Sequence, residues 1–132
     1  MNTEPDPHAK ALRRFSDPAY QPLAESLAQL RTSIDALDEQ VIALLAHRAM
    51  LVKDAARFKA NNFQVSAPAR QAKVFANVRT LASQSNLGFA GFEDVVEATY
   101  RTMVASFIAH EQRYFDALQN VDNPTQTYEG KP

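Results

Sequence analysis

The sequence of 132 residues has no cysteine, and it contains only three histidines and three glycines. Without cysteine there is no disulfide and no thiol chemistry, and three isolated histidines give little support to a zinc site. No run of about 18 apolar residues is present, and residues 1–16 lack the apolar core of a signal peptide. These absences favour a cytoplasmic enzyme or interaction module with no resident metal or cofactor and no membrane partner.

The charge is almost balanced, with 14 Lys and Arg residues against 15 Asp and Glu residues and a net charge of -1. This composition lacks the basic excess that is typical of nucleic-acid binders, so we expect no nucleic-acid partner. Any positively charged cluster must therefore be local. The length indicates one domain with a core of its own.

Prolines and glycines divide the chain into three helical segments, because residues 23–67 contain no proline and the only glycines are at positions 88, 91 and 130. The segments are predicted to run from about Pro22 to Asn61 and Asn62, from Ser66-Ala67-Pro68 to Ser85 and Gly88, and from after Gly91 to Leu118. The sequence thus predicts an all-α fold with one long, one short and one long helix.

The two ends of the chain lack hydrophobic periodicity. We expect residues 1–20 to form a mobile N-terminal extension, residues 21–120 to form the helical domain, and residues 121–132 to form a mobile C-terminal tail.

Arg48 interrupts an apolar stripe in the first segment. The stripe consists of Leu27, Leu30, Ile34, Leu37, Val41, Leu44, Leu51, Ala55 and Phe58, at alternating intervals of three and four once position 48 is included. This spacing predicts a coiled-coil-like seam. Because a buried guanidinium is costly without an anionic partner, we expect a negative group beside Arg48.

Three more basic residues fit an anion site. Lys59 follows Arg48 by 11 residues, about three turns, so both project from one face about 16 Å apart. Arg31 precedes Arg48 by 17 residues, about 26 Å along the helix, which is too far for both to hold one small molecule. A two-fold dimer of antiparallel long helices would let each chain lend Arg31 to its partner's site. Arg70, near the start of the second helix, is placed to close such a site.

Glu111 lies on the apolar face of the third helix, where Phe107 precedes it and Tyr114 and Leu118 follow it. A buried carboxylate there is explained equally well by a substrate contact or by a structural pair with an arginine. Taken singly, the basic residues are ordinary surface residues of a helix, and Arg31 could pair with Asp35 at the i+4 position.

Residues 30–48 read LRTSIDALDEQVIALLAHR and are followed by Lys59 and by the segment APAR at residues 67–70. Together these motifs strongly resemble the all-helical chorismate mutase family, over about residues 24–118. The resemblance implies that three helices of each chain intertwine with those of a second copy in a two-fold helical dimer.

The resemblance also implies roles for individual residues. Arg31 would reach into the neighbouring site, Arg48 and Lys59 would grip the substrate carboxylate and ether oxygen, and Arg70 would bind the second carboxylate. Glu111 occupies a position where relatives carry Gln or Glu. The implied reaction is the pericyclic rearrangement of chorismate to prephenate, which needs no nucleophile, metal or redox cofactor.

One branch of that family, the isochorismate pyruvate lyases, is also similar to this chain. Ala67 and Gln71 stand where the enteric type of mutase carries acidic residues, which favours the lyase branch, whereas Glu111 favours the mutases. The sequence leaves open a chorismate mutase, an isochorismate pyruvate lyase that yields salicylate and pyruvate at the same site, and a non-catalytic helical regulatory module.

Overall fold

A computed structural model of the protein describes residues 3–121, and these form helices and turns with no strand among them. The elements in chain order are α1 (Leu27–Ala55), a 3-10 turn (Ala56–Phe58), α2 (Asn62–Ser66), α3 (Pro68–Ser85) and α4 (Phe92–Val121). The predicted all-α class and the order of long, short and long helices are confirmed. Within residues 3–121, no helix is both long enough and apolar enough to span a bilayer. Of the predicted tail at 121–132, Val121 ends α4 and residues 122–132 lie outside the described residues.

The chain divides into two compact units, Met1–His47 and Arg48–Pro132, and the boundary falls inside α1. The first unit therefore contains most of the long helix, and the second contains its last two turns together with α2, α3 and α4.

In the first unit, α1 begins at Leu27. The predicted start at Pro22 is wrong because Ser26 provides the local start signal: its Oγ accepts a hydrogen bond from the backbone N–H of Gln29. No residue of α1 is buried in the single chain. Between Leu30 and Leu44 the apolar stripe is exposed, by 36% at Leu30 and up to 69% at Leu44.

The predicted end of the first helix is also too late. The α-helix stops at Ala55, the 3-10 turn follows, and Lys59 takes an extended conformation with φ -100° and ψ 141°. Asn61 then caps the five-residue helix α2, with its side chain accepting from the N–H of Gln64 at 2.9 Å. The periodicity missed this break, and it placed Phe58 in the buried stripe although that ring is 74% exposed.

Helices α2 and α3 meet at Ala67, which has φ 45° and ψ 63° and is both the C-cap of α2 and the N-cap of α3. A residue before proline is disfavoured in the right-handed helical region, so α2 cannot run on through Ala67 into Pro68. Helix α3 then extends from Pro68 to Ser85, and the predicted bounds of this segment are confirmed. Asn86 closes the helix by accepting hydrogen bonds from Gly88 and Phe89.

The core of the second unit is formed where α4 packs against α3, α2 and the 3-10 turn. One cluster joins buried Ala56, Val65 and Phe115 with Ile108 and Leu118. The buried residues of α3 are Phe75, Val78 and Ala82, and those of α4 include Val104 and Glu111.

Tyr114, which the sequence places on the apolar face of the third helix, does not face the core, and neither does Leu81 of α3. Leu81 is 58% exposed and Tyr114 is 44% exposed, while their sequence neighbours Ala82 and Phe115 are buried. Side chains of adjacent helical residues point about 100° apart. A predicted stripe that is shifted by one residue therefore lies on a different face of the helix. The packing partners of α3 and α4, rather than side-chain size, decide which neighbour is buried.

Charged side chains also connect α3 to α4. Arg79 on α3 contacts Asp94 at 3.0 Å and Glu97 at 2.8 Å, and Arg101 contacts Glu97 at 2.7 Å. The hydrogen bonds from Arg101 and then Arg79 hold the pKa of the Glu97 carboxyl below its ordinary value. Arg101 also lies over the ring of Phe75, 4.4 Å from its centroid.

Candidate active site

The second unit contains a cavity of about 410 Å³ between the end of α1, the joint of α2 and α3, and α4. This volume lies within the range of small-molecule sites. Much of the wall is apolar, including Val52, Val65, Val104, Phe107 and Ile108. A largely apolar wall keeps the local dielectric low, so the few polar groups present act strongly on a ligand.

Four of the five predicted site residues line this cavity: Arg48, Lys59, Arg70 and Glu111. They come from α1, the loop after the 3-10 turn, α3 and α4, so the fold brings together positions that are up to 63 residues apart in the sequence. The fifth residue, Arg31, is exposed on α1 in the other unit and is not among the residues of this wall.

Arg48 is half-buried beside two aromatic rings of α4. Its Cζ atom lies 5.4 Å from the ring centroid of Phe107 and 5.7 Å from that of Tyr100. Such contacts stabilise a guanidinium through the ring quadrupole. Within residues 3–121, no carboxylate forms a salt bridge with Arg48. The anion expected beside Arg48 is therefore not supplied by the described part of this chain.

Lys59 and Glu111 form an ion pair in the cavity, with 3.2 Å between Nζ and Oε2. The Lys59 side chain is 21% exposed and that of Glu111 is 5% exposed. Lys59 Nζ also donates to the backbone carbonyl of Gln64 in α2, at 3.2 Å. Two acceptors from different helices thus fix the position of the ammonium group, and the structural partner of Glu111 is a lysine rather than an arginine.

Arg70 lies in the first turn of α3, two residues after Pro68. A positive charge at the N-terminal end of a helix opposes the helix dipole, so this position does not favour an arginine for stability. Its exposed side chain lines the cavity.

The charged groups in the wall are three cations and one carboxylate, which leaves a net formal charge of +2. The cavity is therefore matched to a small ligand with more than one negative charge. Among residues 3–121, no group of three or more His, Asp or Glu side chains is arranged to hold a metal ion.

Residues 30–112, well over half of the chain, match the model of the family Chorismate mutase type II. The chain belongs to this family. The matched residues contain all five predicted site residues, and they lie inside the helical domain predicted for residues 21–120.

The family assignment agrees with an individual relative. A chorismate mutase of Methanocaldococcus jannaschii is 25% identical over 99 residues, which cover 74% of this chain and 96% of that protein. No solved structure was found to match the chain. The similarity to the isochorismate pyruvate lyase branch of the family stays a prediction.

The structure of this type II chorismate mutase family member adds residues that the periodicity did not single out. Ser66, Ala67 and Gln71 line the cavity, and the Nε2 atom of Gln71 donates to the carbonyl of Ser66 at 2.7 Å. Helix α2 was missed as well. The pattern Asn61-x-x-Gln64 was a usable signal, because an N-cap residue followed by glutamine three residues later is typical of a helix start.

Proposed function

We propose that the protein is a chorismate mutase, which converts chorismate to prephenate. The observation that carries this proposal is that Arg48, Lys59, Arg70 and Glu111 line one cavity in a member of the chorismate mutase type II family. The activity named for the archaeal relative supports the same reaction.

Charge and size support this choice of substrate. Chorismate carries one carboxylate on its ring and a second on its enolpyruvyl arm, and three cations line the cavity of about 410 Å³. Arginine is suited to holding carboxylates because its planar guanidinium donates two parallel hydrogen bonds. We assign the two carboxylates to Arg48 and Arg70, which have no salt bridge to a carboxylate within residues 3–121.

The reaction breaks the ether C–O bond while a C–C bond forms between the enolpyruvyl arm and the ring. All of this happens within one molecule, so the protein needs no nucleophile and no redox partner. Its first task is to hold the arm folded over the ring, which removes conformational freedom before the reaction. Two clamped carboxylates achieve this.

Its second task is to stabilise the negative charge that gathers on the ether oxygen as that bond breaks. Donors fixed in advance at this oxygen stabilise the transition state more than the bound substrate. Lys59 and Glu111 are 3.2 Å apart, so one ligand oxygen can contact both groups. Lys59 donates as an ammonium group, whereas Glu111 donates only when it is protonated.

The proposal also includes a second copy of the chain, because Arg31 does not line the cavity of its own chain. The apolar stripe of α1 is exposed from Leu30 to Leu44 in the single chain, and a continuous apolar face of this length is typical of an interface. We assign this face to a two-fold dimer, in which Arg31 of each chain enters the site of its partner.

The test is an assay of the purified protein with chorismate and, in parallel, with isochorismate. We expect prephenate from chorismate, and Arg48→Ala should lower kcat/KM by at least about a hundredfold because it removes a carboxylate clamp. Arg113→Ala is the matched control, since Arg113 is an exposed arginine of α4 that does not line the cavity.

Three outcomes would contradict the proposal. Consumption of neither substrate by a folded protein would favour the helical regulatory module. Salicylate and pyruvate from isochorismate, with no prephenate from chorismate, would establish the lyase instead. If Arg48→Ala loses the same fraction of its helical circular dichroism signal as of its activity, Arg48 has a structural role.

A further inference from the structure

We propose that Gln71 is a positioning residue, whose side chain locks the joint of α2 and α3 in its left-handed conformation and so sets the cavity wall that carries Arg70. The kinetic consequence of this lock depends on the proposed function. The lock itself is a property of the fold and is measured independently.

The joint is strained at Ala67, with φ 45° and ψ 63°. For a residue with a Cβ atom this conformation is disfavoured, by roughly 5-fold to 30-fold relative to the right-handed region. Pro68 follows directly and disfavours that right-handed region for Ala67. The accessible alternative is an extended backbone at Ala67, which would swing α2 and the start of α3 apart.

Three hydrogen bonds hold the left-handed conformation at the joint. The N–H of Ala67 donates to the carbonyl of Phe63 at 2.9 Å, which is the usual bond of a left-handed cap, and the N–H of Gln71 donates to the carbonyl of Ala67 at 3.0 Å. The side chain of Gln71 donates to the carbonyl of Ser66 at 2.7 Å and is partly shielded from solvent. This side-chain bond crosses the joint, since it connects the start of α3 to the last residue of α2.

Helix α2 has only five residues and cannot hold the joint by itself, because so short a helix is marginal without outside contacts. A single neutral hydrogen bond changes an equilibrium by about fivefold, which is comparable with the lower end of the strain at Ala67. Loss of the Gln71 bond therefore raises the extended population about fivefold relative to the left-handed one, although the packing of buried Val65 still holds α2 in the core.

The joint matters for the site because Ser66, Ala67, Arg70 and Gln71 all line the cavity. When Ala67 leaves the left-handed conformation, the wall that carries Arg70 moves as well. If Gln71 acts through the joint, the effect of replacing it depends on which residue occupies position 67. If Gln71 contacts the ligand directly, the effect is the same whatever residue is at position 67. This difference is the basis of the test.

The experiment compares Gln71→Met in the parent protein and in an Ala67→Gly background. Methionine keeps the length of the side chain but cannot donate the hydrogen bond. Because the left-handed state predominates in the parent, a fivefold shift of the equilibrium lowers its fraction by less than the full factor, and we expect Gln71→Met to raise KM for chorismate about two- to threefold, with kcat changed by less than about twofold. Glycine adopts positive φ without steric cost, so in the Ala67→Gly background the same substitution should raise KM by less than about 1.7-fold. Gln84→Met is the matched control, because Gln84 is an exposed glutamine of α3 away from the cavity.

The conformation of residue 67 is measured by NMR, from the scalar couplings that report the sign of φ. A positive φ in the parent and its loss or averaging in Gln71→Met support the lock, even in a protein that does not turn over chorismate. An equal rise of KM in both backgrounds would assign Gln71 to direct contact with the ligand. A positive φ that persists unchanged in Gln71→Met would overturn the lock itself.

Discussion

Glu111→Gln tests the proposed donor at the ether oxygen most directly. Glu111 is 4% exposed, and its carboxylate lies 3.2 Å from Lys59 Nζ. Glutamine has almost the same shape, keeps an oxygen that can accept from Lys59, and supplies an amide donor at every pH. The substitution therefore removes the dependence on protonation while leaving the geometry of the cavity in place.

The expected magnitude follows from the number of donors. One lost donor at a developing oxyanion lowers the rate by about 10²-fold to 10³-fold, which corresponds to roughly 3 to 4 kcal/mol. Glu111→Gln keeps a donor at this position and should therefore match or exceed the parent in kcat/KM, whereas Glu111→Leu, which has no donor, should lose about 10²-fold to 10³-fold. Stability of Glu111→Gln should fall by about 1 to 3 kcal/mol, because Glu111 is buried and Lys59 loses its charged partner but keeps the carbonyl of Gln64 as a second acceptor.

The assay is kcat/KM for chorismate in the parent and in both variants, with the far-ultraviolet circular dichroism spectrum as a check of folding. Asp116→Asn is the control, since it makes the same kind of change, from a carboxylate to an amide, at an exposed position of α4 and should reproduce the parent value. A folded Glu111→Gln variant that is inactive would refute the reasoning, as would a Glu111→Leu variant that is as active as the parent.

Three further outcomes are expected. Mixing Arg31→Ala with Arg48→Ala chains should restore about a quarter of parent activity, because half of the dimers are mixed and each has one intact site; no recovery after verified subunit exchange would exclude shared sites. Asn61→Ala should lower the free energy of unfolding by about 0.5 to 2 kcal/mol in urea titrations, since it removes the cap of α2; an unchanged midpoint would show that the cap is dispensable. The lowered pKa of Glu97, caused first by Arg101, stabilises the fold above the unfolded pKa and this contribution is lost as pH falls. The Tm difference between parent and Glu97→Gln should therefore shrink on acidification, and a difference that is constant with pH would contradict this.

The helical architecture was predictable because its signals are local. The two ends of α3 were predicted to within about one residue, from Pro68 at its first position and from the stop signal at Asn86 to Gly88. The interruption of the stripe at Arg48 was equally informative, since a charge at a seam position points to an unusual environment. The structure shows that environment as the rings of Phe107 and Tyr100 at the edge of a cavity.

Other features depend on contacts that periodicity does not contain. The choice of Phe115 over Tyr114 for the core follows from what packs against α4, and the break after Ala55 follows from the capping of α2. The contact of Gln71 with Ser66 depends on the left-handed backbone of Ala67, and an alanine in the sequence does not indicate such a conformation. A glycine at position 67 would have indicated the turn.

The surroundings of the cations have a consequence for how a ligand enters. Arg48 rests against aromatic faces, and such contacts leave the N–H edges of the guanidinium available. Within residues 3–121 no carboxylate forms a salt bridge with Arg48, whereas the ammonium group of Lys59 is already paired with Glu111. In the proposed mechanism, Arg48 is therefore ready to bind a carboxylate as the ligand enters, and Lys59 contacts the ether oxygen while it stays beside Glu111.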